Sequence, residues 1–381
     1  MTTDADNMKR SLGLYIHIPF CKRKCLYCDF CSVAGENGEL IEKYVSSLKD
    51  CLSEYSKRAE DCFVDTVYFG GGTPTVLPSE LLGEILETVF SHYDVSDNAE
   101  ITVETNPATV SADYLKKLRK MGVNRLSIGL QSMQENELRL LGRIHNCMDF
   151  LETFSDARAA GFDNISVDLM YGIPEQTMDS FLDTVEKTVA LSPEHISAYC
   201  LKVEENTPFG RMGESLLLPD DDAVSDMYEA CVKLFAETGY SRYEISNFSR
   251  EGRESKHNLR YWLGSEYLGF GPAAHSYFEG ERFAFSPNIA AFANGEFFIS
   301  ERERIDNEEM MREHVMLRMR LCGGVDAADF EERFGAPFEV RFPGINRFVV
   351  SGHVIFDGES YRFTDEGFFV SSYILSEIID F

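Results

Sequence analysis

Short runs rich in β-branched and aromatic residues recur along the first half of the chain, at Leu14–Ile18, Thr66–Phe69, Glu100–Glu104, Arg125–Leu130, Asn164–Met170 and Ile196–Leu201. Between them, Leu40–Lys57, Glu80–Phe90, Ala112–Lys120, Met148–Ala160 and Met178–Ala190 carry apolar residues three and four apart, the spacing that lines one face of a helix. Ser79, Ser111 and Thr177 stand where helix N-caps are needed. Strands alternating with helices predict parallel βαβ units. The expected fold is therefore α/β, with six units forming a partial, TIM-like (β/α)6 barrel that is open on one side.

The pattern changes after about residue 210, with a helix predicted over Asp221–Thr238, an aromatic-rich stretch to Tyr277 and a charged helical run at Asn307–Leu321. The Gly-punctuated end (Gly344, Gly352, Gly358, Gly367) reads as a small helical, winged-helix-like module. The division is placed near 300, giving a barrel with its aromatic-rich extension over 1–300 and the module over 301–381. Polar or glycine-rich groups follow each predicted strand: the cysteine loop, Gly70–Pro74, Glu104, Gln131, Asp168 and Lys202. In parallel barrels the C-terminal rim of the strands is where sites are built.

Composition narrows the partners. Hydrophobic residues make up 44% and charged residues 26%, ordinary values for a globular protein. A net charge of −28 repels phosphate backbones, and the basic cluster Lys22, Arg23 and Lys24 falls inside the cysteine loop, so no nucleic-acid partner is expected. The first twenty residues lack the basic start and apolar run of a secretory signal, and no stretch of about 18 apolar residues occurs, so a cytoplasmic protein, not integral to a membrane, is expected. There the ten cysteines would stay reduced, and three crowded into one loop read as metal ligands before disulfides.

Those three are Cys21, Cys25 and Cys28, spaced C-x3-C-x2-C directly after a strand. Thiolates are natural ligands of iron–sulfur clusters, and three of them on a four-iron cube leave one iron open. A structural zinc site is the alternative, with Cys31 or His17 as fourth ligand. Gly70–Gly72 after a strand let the backbone approach a ligand closely, or simply make a tight turn. Glu104 and Asp168 can accept from ligand hydroxyl or amino groups, Gln131 can donate and accept, and Arg143 can fork onto a carboxylate; each could equally belong to a rim ion-pair network. His17, alternating with apolar neighbours, is expected to point off the barrel core, and His17, His92 and His195 receive no catalytic role.

Tyr15–Phe20 leading into the three cysteines, Gly70-Gly-Gly-Thr-Pro74, Glu104-Thr-Asn-Pro107, Ser127–Ser132, Gly142–His145, Asp168–Pro174 and Gly269–Ser276 follow one another as in a known superfamily. Over roughly residues 12 to 280 the chain resembles the radical S-adenosylmethionine (SAM) superfamily, in particular its group of oxygen-independent coproporphyrinogen III oxidases and heme chaperones, and the tail resembles that group's C-terminal module. The resemblance implies a [4Fe–4S] cluster on Cys21, Cys25 and Cys28, with Gly71, Gly72, Thr73, Glu104, Gln131, Arg143 and Asp168 about SAM. It also implies that Tyr15, Tyr27, Lys202 and His275 line the same pocket.

Within that group, three features favour the chaperones. Phe30 stands two residues after Cys28, where the oxidase pattern has cysteine; twenty residues precede Cys21, where the oxidase carries a longer segment; and His257-Asn258-Leu-Arg-Tyr261-Trp262 matches the chaperones' HNxxYW motif and contains the only tryptophan. The extra Cys31 fits neither pattern and is either inert or a thiol near the cluster. In the motif, imidazole can ligate iron and aromatic faces can cover a macrocycle, or the same residues can be buried against the barrel edge. The resemblance thus implies a protein that binds heme through His257, Asn258, Tyr261 and Trp262 and delivers it to a recipient hemoprotein, with a reductant and a cluster-dependent homodimer as further partners. The alternative is a radical decarboxylase of coproporphyrinogen III. A third reading, RNA modification, lacks a basic channel.

Overall fold

The computed structural model describes residues 9–35 and 37–379, so the first eight of the twenty residues found to lack a secretory signal lie outside the described residues. Seven strands run parallel in the order Tyr267–Phe270, Arg10–Ile18, Cys62–Gly71, Val95–Thr105, Arg125–Gln131, Ile165–Tyr171, His195–Cys200. Antiparallel strands extend both ends of this sheet to twelve, and its two edges do not pair with each other. The six strand–helix units expected from the pattern are all present. The seventh parallel strand, Tyr267–Phe270, pairs with the first through Leu14 and Leu268. It escaped the periodicity reading because an antiparallel strand, His275–Phe278, follows it where a βα unit would carry a helix.

The strand period of two sorts the first strand. Leu12, Leu14, Ile16 and Ile18 are fully buried in an apolar layer with Val67, Phe69, Ile101 and Val103 from neighbouring strands and Tyr44 and Leu48 from the helix Gly38–Ser56. Tyr15 and His17 take the opposite, inward face. Against the expectation that it points off the barrel core, His17 lies inside the barrel, buried and bonded to the Tyr15 hydroxyl at 3.1 Å and to the Cys31 carbonyl at 2.8 Å.

The covering helices begin where the caps direct. Ser111 Oγ accepts from the Tyr114 amide, and Thr177 forms a capping box with Ser180. Ser79 differs: the helix begins at it, and Pro78 occupies the cap position with its φ fixed near the value the entry needs.

The large sheet runs on through the strand Ile299–Arg304, slightly past 300. A second apolar core then forms from Met311 to Ile379, around a three-stranded sheet of Val325–Asp326, Ser360–Phe363 and Val354–Phe356. It meets the barrel through polar contacts, Arg282 with Glu313 at 2.7 Å and Arg242 with Asp365 at 2.5 Å, and through apolar ones: the Arg242 guanidinium lies 4.0 Å over the Phe368 ring, Tyr228 meets Phe369 edge-on at 5.4 Å, and Ile245 packs on the module core. Among the described residues no helix is long and apolar enough to cross a membrane.

Candidate functional site

The cysteine loop leaves the strand Phe20–Cys21 and is pinned by Leu26, the first of the two residues between its second and third cysteines. Leu26 donates its amide to the Leu141 carbonyl at 3.0 Å and accepts from the Phe209 amide at 3.1 Å, and its side chain packs on a small core of Leu141, Met170, Ile173, Leu201 and Phe209. With Leu26 anchored below, Cys21, Cys25 and Cys28 all line one cavity of about 640 Å3 at the C-terminal ends of the barrel strands, and all three are free thiols. Burial raises the Cys21 and Cys28 thiols above their ordinary value, so proton loss there needs a compensating positive charge.

A chain of hydrogen bonds ties two of these cysteines together across the cavity wall. Arg143 Nη1 donates to Cys25 Sγ at 3.5 Å, its Nη2 donates to the Gly129 carbonyl at 2.7 Å and to the Asn106 amide oxygen, Asn106 Nδ2 donates to Thr73 Oγ1 at 2.7 Å, and Thr73 Oγ1 donates to Cys21 Sγ at 3.7 Å. Arg143 Nε and Thr105 Oγ1, both on residues lining the cavity, are buried without a partner among the described residues. Such orphans are rare in native proteins and mark places a ligand can satisfy.

The glycine turn is forced by proximity. Gly71 has φ +108°, and a Cβ there would meet the His17 ring at 2.5 Å; at Gly72 it would meet the Phe20 carbonyl at 2.7 Å. The Gly71 amide donates to Glu104 Oε2 at 3.2 Å and Tyr68 donates its hydroxyl to Oε1 at 2.9 Å. Burial, with Asp168 as a like-charged neighbour, pushes Glu104 up to about 7 against those two bonds. Asp168 is also raised by burial, and it accepts from Ser127 Oγ at 3.1 Å. Gln131 closes its strand with φ +71°, a conformation costly for a residue with a Cβ and typical of functional rims.

The cavity gathers Cys21, Cys25, Cys28, Tyr27, Gly71, Gly72, Thr73, Glu104, Gln131, Arg143, Asp168, Lys202 and Asn258. Lys202 stands at its mouth, exposed and paired with Glu204 at 2.8 Å. Tyr15 is not on the cavity wall; it lies behind, stacked on Tyr68 at 6.2 Å. His275 is exposed on an added strand and also outside the wall. The sequence reading missed Tyr68, Asn106 and Ser127, although each lies inside a quoted motif or predicted strand. Arg125 and Tyr199 it missed because nothing in a strand pattern says which inward residue reaches a shared space.

Three comparisons bear on this geometry. Residues 15–188 match the model of the radical SAM superfamily, and 305–370 match that of the HemN C-terminal domain. The chain is 35% identical over 91% of its length to the heme chaperone HemW of Bacillus subtilis, covering 93% of that protein, and 34% identical to HemW of Escherichia coli, over 93% of this chain and 95% of that one. The chain belongs to the HemW family. The fold agrees with that of the solved coproporphyrinogen III oxidase of Escherichia coli, a radical SAM enzyme, at a TM-score of 0.87, with 21% identity, 99% of this chain and 92% of that one covered.

Membership of this family implies a [4Fe–4S] cluster and SAM, and the residues present fit both. Three thiols face one cavity, an arginine with a spare nitrogen stands beside one of them, and a glycine cradle with two carboxylates lies opposite. Among the described residues no three His, Cys, Asp or Glu side chains close up to the spacing of a single ion, whereas ligands to separate corners of a cube stand farther apart. The HemW motif, by contrast, is split by its helix Lys256–Leu263. Asn258 lines the cluster cavity. Tyr261 and Trp262 line a different one. His257 lies between, fully buried, its nitrogens bonded to Thr66 Oγ1 and the Tyr261 hydroxyl, both at 2.9 Å, and its ring stacked on Tyr68 at 5.1 Å. In this arrangement neither His257 nitrogen is free for iron.

Proposed function

We propose that this protein is a cytoplasmic heme chaperone, binding heme and passing it to a recipient hemoprotein. The observation that carries this reading is the end-to-end match, above 30% identity, to relatives named heme chaperones. Phe30 and the His257–Trp262 motif agree with it. Cys21, Cys25 and Cys28 hold the cluster, and Gly71, Gly72, Thr73, Glu104, Gln131, Arg143 and Asp168 hold SAM. When bound, the cluster supplies single electrons and an iron with an open position. This chain's contribution is to orient and enclose: Arg143 supplies positive charge beside the thiolates, and Glu104 and Asp168 supply acceptors for hydroxyl and amino groups. A reductant and a cluster-dependent homodimer complete the scheme.

The test is heme titration of anaerobically reconstituted protein, followed by transfer to an apo-hemoprotein, with 5′-deoxyadenosine release measured in the same sample. A stoichiometric Soret band with transfer supports the chaperone. The intact cradle favours a second reading, decarboxylation of coproporphyrinogen III, and formation of the vinyl product under reducing conditions would decide for it. With a net charge of −28, nucleic acid is not a substrate in either reading.

A further inference from the structure

The helix Lys256–Leu263 is a partition between the cluster cavity and a cleft of about 180 Å3 against the C-terminal module, where His314 stands on the module wall. The larger cavity runs deeper than the groups assigned to SAM. On the strand Arg125–Gln131 every second residue faces inward, and Arg125, Ser127, Gly129 and Gln131 all line the cavity. Gln131 stands at the rim, whereas Arg125 opens the strand, roughly 20 Å back along it at about 3.3 Å per residue.

Arg125 is a buried cation without a partner. It is 1% exposed, its Nε has no hydrogen bond, and its guanidinium forms no ion pair within 4.0 Å among the described residues. Arg260, 5% exposed, shows what such a side chain ordinarily needs: it pairs with Asp65 and donates to Thr66 Oγ1 at 3.1 Å and to the Glu266 carbonyl at 2.9 Å. The carboxylates near Arg125 do not take that part. Glu104 and Asp168 face the same cavity and feel its positive charge, yet Glu104 is bonded to Tyr68 and Gly71 and Asp168 to Ser127. Beside Arg125 in register stands Thr102, fully buried, its hydroxyl also without a partner among the described residues. Two adjacent buried donors without acceptors call for an acceptor from outside the chain, and the cavity is the way it reaches the guanidinium.

The chemistry selects the class of that acceptor. A guanidinium is a planar fork that meets a carboxylate in two parallel bonds. A doubly charged phosphate is disfavoured, because Glu104 and Asp168 face the same space. Burial holds both carboxyls above their ordinary range, so one further negative charge is tolerated beside them. We propose that the cavity is a two-ligand site, with the carboxylate of a small organic acid on Arg125 beneath the groups assigned to SAM. Ser197, Tyr199 and Asn258, which line the cavity outside the SAM set, offer that acid its remaining polar contacts. The proposal goes beyond the SAM reading and is independent of where heme binds.

The test uses the full-length, anaerobically reconstituted protein, with sodium propionate as the probe and propionamide, its uncharged counterpart, as the control at equal ionic strength. Propionate at ~50 mM is expected to raise the melting temperature by about 2 °C, the effect of a ligand present at about tenfold its dissociation constant; propionamide is expected to leave it unchanged. Arg125→Met fills the same space and removes the response, and Arg125→Lys keeps the charge and part of the response. An equal response to both probes, or the same propionate response in wild type and Arg125→Met, means that the guanidinium is merely hydrated and overturns the proposal. Should the variants fail to fold, calorimetry on the wild type decides: SAM affinity unchanged by saturating propionate supports two separate ligands, whereas competition assigns Arg125 to SAM and overturns the second site. A protein that reconstitutes its cluster but binds no SAM overturns the SAM reading instead.

Discussion

His257 and His314 are both buried, both near the partition helix, and chemically opposite. One has each nitrogen bonded and its ring held between strands of a single core. The other makes no hydrogen bond among the described residues and stands where two cores meet. A fully bonded imidazole inside the barrel stabilises a fold, whereas one on a cleft wall can turn its nitrogens to water. The same contrast separates the two cavities. The cluster cavity is built on strand ends of one sheet, with its polar groups already cross-linked; the cleft lies between two apolar cores that meet through both polar pairs and side-chain packing.

The largest expected effect tests whether the two cavities are independent. Simultaneous Cys21→Ser, Cys25→Ser and Cys28→Ser should abolish cluster iron and sulfide after reconstitution while heme still binds; iron assay and Soret titration on one sample check both. Next, Arg143→Ala removes the link between Cys25 and Asn106 and should weaken SAM binding about 10- to 100-fold, measured by calorimetry on the reconstituted protein. A smaller loss is expected for His257→Ala. It leaves the Tyr261 hydroxyl without its His257 partner and Thr66 Oγ1 with Arg260 alone, and should cost about 2–3 kcal/mol of stability in chemical denaturation, with the heme spectrum unchanged.

The smallest effect concerns Glu104. Burial raises it from 4.5 to about 7, so ionising it inside the fold is the unfavourable step. The stability it contributes is complete below about pH 4.5 and is lost as pH rises through about 7. Glu104→Gln should therefore gain on the wild type in melting temperature between about pH 5 and pH 8, by only a few degrees because the carboxyl borders an open cavity. A melting curve at each pH, without SAM, decides it.

Much of this was legible beforehand. Six βα units, their caps at Ser111 and Thr177, and the rim positions of Glu104, Gln131 and Asp168 follow from local periodicity, because a helix face and a strand face are properties of neighbouring residues. The cysteine spacing is likewise local. The seventh strand was hidden because no helix follows it to complete a βα unit, and its place in the sheet because its partner, Arg10–Ile18, lies some 250 residues earlier. Tyr15 reads as a pocket residue from its motif and lies behind the wall, since a strand pattern gives a side but not a depth.

By itself the sequence determined the chemistry available: three thiolates in one loop, a glycine cradle, inward carboxylates, and the His257–Trp262 run. Only the tertiary structure decided which of these share a space. One helix carries His257, Asn258 and Trp262 to three different environments, because successive residues on a helix point about 100° apart and this helix is packed on both sides. His314 and Arg333, far away in sequence, come to face Trp262 because the C-terminal core closes against the barrel edge, a contact between distant surfaces that no local pattern encodes.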